Sequence, residues 1–214
     1  MPFVQKIENT DGKIGIWQLD ETPEQLLPLL TLSEVEKNQY TQLRTEKRQK
    51  EFLATRILLS ALENRKPEIN YTATGKPFLS GEKQNISISH SADYAVIFLS
   101  EKKVGIDIEQ CSRNIDRVAD RFLNENEKAL IAKLDNAQFA KVLFWAAKEA
   151  VFKCTDTQGI SFSEQILIDT FIPGREGSFT AHLIQAGHKN KYQLQYFTFE
   201  NNILVYCVEK ENQL

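Results

Sequence analysis

Two long segments of the chain have apolar residues at helical spacing. Residues 46–65 and 137–153 place apolar residues three and four positions apart, which predicts an amphipathic helix in each segment. Residues 85–100 and 192–210 are rich in β-branched and aromatic residues and are each interrupted by a short turn-like sequence, which predicts two strand pairs. The order of a helix followed by a strand pair therefore occurs twice.

This repeated order indicates an α+β fold of two similar halves. Each half would contain a long helix packed on a small antiparallel sheet, with residues 1–103 in the first half and residues 104–214 in the second. A single irregular α+β domain with a chance similarity between its halves is the alternative that periodicity alone leaves open.

Composition narrows the class of protein. The 214 residues are 42% hydrophobic and 10% aromatic, enough for a sizeable core, and the net charge of −3 with a pI of 5.7 argues against a nucleic-acid or acidic-membrane binder. The three cysteines are far apart and form no C-x-x-C pair, which favours reduced thiols and a cytoplasmic location. A secretory leader and a membrane span are not expected, because the sequence has no suitable apolar run.

Polar and apolar residues alternate strictly in the predicted strand at residues 103–109. One face carries the apolar side chains of Val104, Ile106 and Ile108. The other face carries Gly105, Asp107 and Glu109, whose carboxylates would be separated by roughly 6.5 to 7 Å between Cα atoms and could share Mg²⁺ or Mn²⁺. Gly105 favours the close approach of a ligand. The alternative is an ordinary solvated strand face.

Charged residues lie beside the apolar stripe of the second long helix. The stripe consists of Phe139, Val142, Leu143, Ala146 and Ala150. Glu149 and Lys153 fall at its edge, where burial of charge is costly unless the charge is paired or binds a ligand. An ion pair between Glu149 and Lys153 is one explanation. A third carboxylate for a metal, with Lys148 and Lys153 as cations for phosphates, is the other.

Two further segments have donors suited to phosphate oxygens. Lys76 stands between a glycine and a proline in a predicted turn, and Ser89 and His90 lie at the end of a predicted strand. A plain turn and a hydrogen-bonded structural histidine are the alternatives.

A capping box is predicted at Asn124 and Glu127. The spacing of these two residues lets each side chain bond to the backbone of the other at the start of a helix.

Four ordered motifs together resemble the 4'-phosphopantetheinyl transferase superfamily. They are G-K-P at 75–77, S-H-S at 89–91, V-G-I-D-I-E at 104–109 and W-x-x-K-E-x-x-x-K at 145–153. The length is similar to that of the surfactin-type, single-chain members, which are pseudo-dimers with a pseudo-twofold axis between their halves. The resemblance implies a monomer that transfers phosphopantetheine from coenzyme A to a serine of an apo acyl or peptidyl carrier protein. Magnesium, or manganese in its place, assists, and adenosine 3',5'-bisphosphate is released.

The resemblance also implies roles for the acids and for one lysine of the second half. Asp107, Glu109 and Glu149 match the metal-binding acids of the family. Lys153 matches a lysine that contacts the pyrophosphate and assists the leaving group. Glu127 stands where several members carry a glutamate that acts as general base, although a metal-bound water could serve instead.

Other motif positions match residues that bind coenzyme A. Lys76, Ser89 and His90 match positions that hold its nucleotide end and 3'-phosphate, and Lys148 matches a further phosphate-facing lysine. Asp107 is also expected to contribute to the coenzyme A site. Several basic residues compete for an additional phosphate contact, and the sequence does not choose among Lys37, Arg44, Lys47, Arg48 and Arg56.

Two other functions stay open. A protein of this fold could bind coenzyme A or a nucleotide without catalysis, or it could use the same acids as a metal-dependent phosphohydrolase. The carrier, from fatty-acid, polyketide or nonribosomal peptide synthesis, cannot be read from the sequence.

Overall fold

The computed structural model of the chain describes residues 3–155 and 157–210. Its backbone contacts divide the chain into two compact units, Met1–Glu101 and Lys102–Leu214. The sequence predicts this division between residues 103 and 104. Within the described residues, no helix is both long enough and apolar enough to cross a membrane.

The first unit consists of an antiparallel sheet, a small strand pair and helices. Its strands are β1 (Phe3–Asn9), β2 (Gly12–Gln18), β3 (Ile69–Tyr71), β4 (Pro77–Leu79), β5 (Asn85–His90) and β6 (Tyr94–Ser100). The main sheet has the order β1-β2-β6-β5, and β3 pairs with β4. Its helices are α1 (Pro23–Leu26), a 3₁₀ turn at Leu27–Leu29, α2 (Glu34–Thr41) and α3 (Glu46–Glu63).

Helix α3 is delimited by local signals at both ends and packs on β2 and β6. The Thr45 side chain accepts a hydrogen bond from the Arg48 amide at the start, and Asn64 ends the helix in the left-handed conformation. Leu53, Leu58 and Leu62 are buried between the helix and the sheet. The first unit thus has its own hydrophobic core.

The second unit has the same components. Its strands are β7 (Val104–Gln110), β8 (Ile166–Ile168), β9 (Glu176–Gln185), β10 (His188–Phe199) and β11 (Asn202–Lys210), in the antiparallel order β7-β11-β10-β9-β8. Its helices are a 3₁₀ turn at Asp116–Val118, α4 (Ala119–Phe122), α5 (Glu125–Ile131), α6 (Ala137–Cys154) and α7 (Phe162–Gln165). Helix α6 packs on β7 and β11.

The predicted α+β class and both long helices are confirmed. The two predicted strand pairs are also present as β5 with β6 and β10 with β11, although the second pair turns at residues 200–201 rather than at Asn201 and Asn202. The pseudo-twofold relation between the units stays a prediction.

Helix α6 is buried more widely than its predicted stripe. Val142, Leu143, Ala146 and Ala150 are buried as expected, but Phe139 is only half-buried. Side chains on other sides of the helix are also fully buried, namely Ala140, Phe144, Ala147 and Val151. The reason is that α6 contacts the sheet on one side and α4 and α5 on others, so most of its circumference is covered.

Candidate active site

The polar face of β7 is covered by helix α6. Gly105 faces the helix so closely that a Cβ atom there would lie 1.8 Å from the carbonyl oxygen of Ala150. The expectation of a ligand beside Gly105 is therefore wrong at this position, because the helix backbone occupies the space. The solvated-face alternative is also wrong, since Asp107 on the same face is only 4% exposed.

Close packing of α6 on β7 brings Lys153 to Asp107. The Lys153 ammonium lies 2.6 Å from Oδ1 of Asp107, and the exposed fractions of the two side chains are 27% and 6%. Within the described residues Glu149 forms no ion pair with Lys153, so the simple i,i+4 pair is not what places these charges. Lys153 instead joins the helix to the strand.

Glu149 lies near both acids of the strand. Burial and the negative charge of Asp107 raise the pKa of Glu149 to about 7, and Glu109 adds to the rise while Lys153 and Arg113 oppose it. The three carboxylates predicted to act together are thus electrostatically coupled.

Glu109 is held by two donors that the sequence did not assign to it. The indole Nε1 of Trp145 donates to Oε1 of Glu109 at 2.9 Å, and the Arg113 guanidinium forms an ion pair with the same oxygen. Burial and the charge of Asp107 raise the pKa of Glu109, whereas Arg113 and Trp145 lower it. The side chain of Glu109 is 13% exposed.

The chemistry of these three acids fits a hard divalent cation. Carboxylate oxygens are the ligands that such cations prefer. A cation would offset the burial and the repulsion that raise the pKa values of Glu109 and Glu149. As the side chains stand, no group of three or more His, Cys, Asp or Glu residues in the described part of the chain is arranged to hold a metal. Lys153 and Arg113 instead neutralise part of the acidic charge. The assignment of the metal ligands stays a proposal.

Lys148 lies on a different side of α6 from these acids and is fully buried. Its ammonium lies 2.7 Å from Oε2 of Glu127 and donates to the carbonyl oxygen of Phe162 at 3.0 Å. Burial lowers the pKa of Lys148, and Glu127 opposes this effect. At 0% exposure the ammonium does not reach solvent, so this geometry gives no support for a phosphate contact.

Glu127 forms the capping box that its spacing predicts. Its side chain accepts from the Asn124 amide at 3.0 Å, and the Asn124 side chain accepts from the Glu127 amide at 2.9 Å. The same carboxylate binds Lys148 and accepts from the Ile168 amide at 3.2 Å. At 3% exposure and with these partners, Glu127 has the surroundings of a structural carboxylate. The base role stays a prediction without support from this arrangement.

The predicted nucleotide-binding residues lie in the first unit. Ser89 is buried and Lys76 is half-buried, in a turn where Gly75 has a φ of +82°. His90 Nε2 lies 2.9 Å from the Thr55 hydroxyl, which donates its one proton to the carbonyl oxygen of Glu51 at 2.6 Å. These contacts tie the ring of His90 to helix α3 within the first unit.

The five basic residues considered for a further phosphate contact differ in their exposure and in their partners. Arg56 is 3% exposed and binds Glu36, Gln39 and the carbonyl oxygen of Phe52, so its charge is used within the unit. The others are exposed. Lys37 pairs with Glu34, Arg48 and Lys47 pair with Glu51, and Arg44 forms no ion pair with a described residue. Only Arg56 is thereby disfavoured.

Sequence reasoning gave no role to Arg113, Trp145 or Thr55. Trp145 is the first residue of the motif at 145–153, but its contact with Glu109 crosses from helix to strand, and periodicity within one element cannot reveal it. Arg113 lies four residues after Glu109. This spacing predicts a side-chain contact on a helix, but it predicts none beyond the end of a strand.

Comparisons with known proteins agree with the motifs. Residues 103–208 match the family described as "4'-phosphopantetheinyl transferase superfamily". The chain is similar to the 4'-phosphopantetheinyl transferase gsp of Aneurinibacillus migulanus, with 37% identity over 81 residues, which are 37% of this chain and 34% of that protein. The matched segment thus spans about a third of the length of that relative.

Among solved structures, the chain is similar to the holo-[acyl-carrier-protein] synthase of Thermotoga maritima. The sequence identity is 20%, the TM-score is 0.37, and the match covers 51% of this chain and 64% of that one. The family match spans the strand that carries Asp107 and Glu109 and the helix that carries Glu149 and Lys153. The second unit therefore carries the match to the 4'-phosphopantetheinyl transferase superfamily, which spans residues 103–208 of the 214-residue chain.

Proposed function

We propose that the protein transfers the 4'-phosphopantetheine group of coenzyme A to a serine of an apo acyl or peptidyl carrier protein. One observation carries the proposal: three coupled carboxylates, Asp107, Glu109 and Glu149, lie in the family-matched region, with Lys153 bound to Asp107. A site with this charge pattern suits a cation together with a phosphate-bearing ligand.

In the proposed reaction the carrier serine oxygen forms a bond to the β-phosphorus of coenzyme A. The bond between that phosphorus and the pyrophosphate bridging oxygen breaks, and adenosine 3',5'-bisphosphate leaves. Mg²⁺, or Mn²⁺, held by Asp107, Glu109 and Glu149, would supply positive charge that neutralises and orients the pyrophosphate.

Lys153 is a cation that lies against one of the three acids. Its ammonium already lies against Asp107, and its side chain is 27% exposed, so it can also meet an anionic ligand. Charge that develops on the departing phosphate would be stabilised by this ammonium. Lys76, Ser89 and His90 are proposed to bind the nucleotide end.

The serine proton needs an acceptor other than Glu127 in its present surroundings. Glu127 is buried and already binds Lys148 and two backbone amides. Because a base must reach its proton within hydrogen-bond distance, we propose that Glu127 positions helices α5 and α6.

The single-chain monomer and the cytoplasmic location are also proposals. The cysteines among the described residues are free thiols, which supports a reducing compartment.

A direct assay tests the function. The protein is incubated with coenzyme A, Mg²⁺ and a panel of apo carrier proteins, and each carrier is weighed by mass spectrometry. Transfer adds the mass of one phosphopantetheinyl group to the carrier. A silent binder adds nothing, and a phosphohydrolase releases phosphate or bisphosphate without any carrier.

Asp107→Ala is the informative variant for this assay. We expect it to keep a cooperative thermal transition and to lose transfer, because the cation and Lys153 both lose their carboxylate. Asp120→Ala is the matched control, since Asp120 is exposed and pairs with Lys128 on the surface. Normal transfer by Asp107→Ala would refute the metal assignment.

A further inference from the structure

Trp145 is held in place by aromatic packing, and its polar edge meets Glu109. Its ring lies 5.2 Å from Phe122 in an edge-on arrangement and 5.9 Å from Phe162. The indole Nε1 donates to Oε1 of Glu109 at 2.9 Å. The indole of Trp145 is half-buried, and the partner of its N–H is a proposed metal ligand.

Arg113 completes this arrangement from the other side. Its guanidinium lies 5.6 Å from the centre of the Trp145 ring and forms an ion pair with the same oxygen of Glu109. Its carbonyl oxygen accepts from the Gln138 side chain on helix α6 at 2.5 Å, which fixes the backbone at this point. Trp145 and Arg113 therefore both donate to Oε1 of Glu109. Among the described residues, Oε2 accepts no hydrogen bond.

A carboxylate that is held by one oxygen offers the other in a defined orientation. Partners that orient metal ligands contribute to metal affinity, and their loss costs about 10- to 100-fold. Trp145 is neutral, so it orients Glu109 without repelling a cation. Arg113 also orients Glu109, but its positive charge opposes a cation nearby.

We propose that Trp145 is a positioning residue for the metal ligand Glu109, holding Oε1 so that Oε2 is available to the cation. This inference rests on the proposed function, since it assumes that the cation binds at Asp107, Glu109 and Glu149. Trp145 touches no reacting atom in this arrangement and acts through Glu109.

Metal binding without substrates tests the inference. Mn²⁺ is titrated into the whole protein in the absence of coenzyme A and carrier, and free Mn²⁺ is followed by electron paramagnetic resonance. Trp145→Phe keeps the ring between Phe122 and Phe162 but removes the N–H. We expect its Mn²⁺ affinity to fall about tenfold or more.

Two control variants separate orientation from packing and charge. Trp17→Phe removes the indole of a tryptophan buried in the first unit, and we expect unchanged Mn²⁺ affinity. Arg113→Met removes an orienting donor and an opposing charge together, so we expect a smaller change than for Trp145→Phe.

In transfer assays, Trp145→Phe should raise the Mg²⁺ concentration needed for half-maximal rate, with little change in kcat at saturating Mg²⁺.

A measurement on the native indole covers the case in which Trp145→Phe folds poorly. In the Trp17→Phe background the emission comes from Trp145, and we expect Mg²⁺ to change it as Glu109 engages the cation. An emission that stays constant at saturating Mg²⁺ overturns the inference.

The outcomes distinguish this inference from the proposed function. Equal Mn²⁺ affinity of folded Trp145→Phe and wild type overturns the role of Trp145 and leaves the transferase proposal intact. Weaker Mn²⁺ binding by Trp145→Phe, with no transfer by the wild type to any carrier, supports the role of Trp145 and refutes the transferase proposal. Absence of Mn²⁺ binding to the wild type overturns both the inference and the metal assignment.

Discussion

Lys153 Nζ lies 2.6 Å from Oδ1 of Asp107 and joins the last turn of helix α6 to strand β7. This contact places a cation of the helix against a buried acid. It lies in a cluster with more carboxylates than cations. Burial and the charge of Asp107 raise the pKa of both Glu109 and Glu149, and Glu109 adds to the rise at Glu149. Under the proposed function, stability and transfer would both depend on this pair.

Lys153→Met should reduce both stability and transfer. Removing the ammonium leaves Asp107 buried beside two other acids, which we expect to cost about 3 kcal/mol of unfolding free energy. Transfer should fall about a hundredfold, since charge on the departing phosphate loses its stabilising cation. Urea unfolding and the carrier mass assay measure the two effects.

Lys141→Met is the control for this prediction. Lys141 is on the same helix and lies 2.6 Å from Asp116, whose side chain is 56% exposed. We expect a stability loss below about 1 kcal/mol and normal transfer. Equal behaviour of the two lysine variants would contradict a special role for Lys153.

Gly105→Ala should destabilise the second unit. The added Cβ would lie 1.8 Å from the carbonyl oxygen of Ala150 and 2.8 Å from the amide nitrogen of Cys154, both backbone atoms that move only with helix α6. We expect a loss of about 3 kcal/mol, measured by urea unfolding. Transfer should also fall, because the displaced helix carries Glu149 and Lys153.

Gly174→Ala serves as the matched substitution. A Cβ there would have its nearest neighbour, the carbonyl oxygen of Glu176, at 3.7 Å, so it fits without displacement. We expect a change within about 0.5 kcal/mol. A Gly105→Ala protein as stable as Gly174→Ala would show that α6 can move away from β7 at little cost.

The buried pair of Lys148 and Glu127 should behave as a structural unit. Lys148→Met leaves a buried carboxylate without its cation, and we expect a loss of about 3 to 5 kcal/mol. The double variant Glu127→Gln/Lys148→Met removes both charges and should recover much of this loss. Thermal or urea unfolding of both single variants and the double variant measures the coupling between the two side chains.

The pH dependence of transfer decides between the two roles of Glu127. A general base gives the rate profile an acidic limb that vanishes when the base is removed. If Glu127 positions the helices, Glu127→Gln lowers the rate but keeps the shape of the profile. Loss of the acidic limb in Glu127→Gln would restore the base assignment.

Glu149 should make the metal-free protein less stable as the pH rises. Burial and the nearby acids raise its pKa from an ordinary value of 4.5 to about 7 in the folded protein, so the folded state binds the proton more tightly than the unfolded state. The contribution of Glu149 to the stability of the folded state is therefore largest below pH 4.5. This contribution is lost as the pH rises from 4.5 through 7.

Glu149→Gln tests this dependence in the presence of a chelator. The variant should be more stable than the wild type at pH 8, by on the order of 2 kcal/mol, and the difference should shrink towards pH 5. Thermal unfolding at a series of pH values measures it. A constant difference across this range would contradict the raised pKa of Glu149.

Much of the fold followed from local sequence signals. The apolar spacing predicted helices α3 and α6 to within two residues at each end, and the β-rich runs predicted the pairs β5 with β6 and β10 with β11. The Asn124 and Glu127 spacing predicted the capping box. These features depend on residues that are close in the chain, so their periodicity and turn chemistry are visible in the sequence.

The site was only partly visible in the same way. Strand alternation placed Asp107 and Glu109 on one face, and the motifs added Glu149 and Lys153. The partners of Glu109 and Lys148 were not visible, because Trp145, Arg113 and Glu127 reach them from other elements. Long-range contacts depend on how α6 packs on the sheet and on α5, and no sequence period records that packing.

The sequence by itself determined the α+β composition, the second-unit acids and the family to which they point. Tertiary structure alone decided that α6 covers the polar face of β7, that Lys153 binds Asp107 rather than Glu149, and that Lys148 turns inward to Glu127. The physical reason lies in burial: a charged side chain inside a protein takes the partner that three-dimensional packing brings within reach, and its neighbours in the chain do not identify that partner.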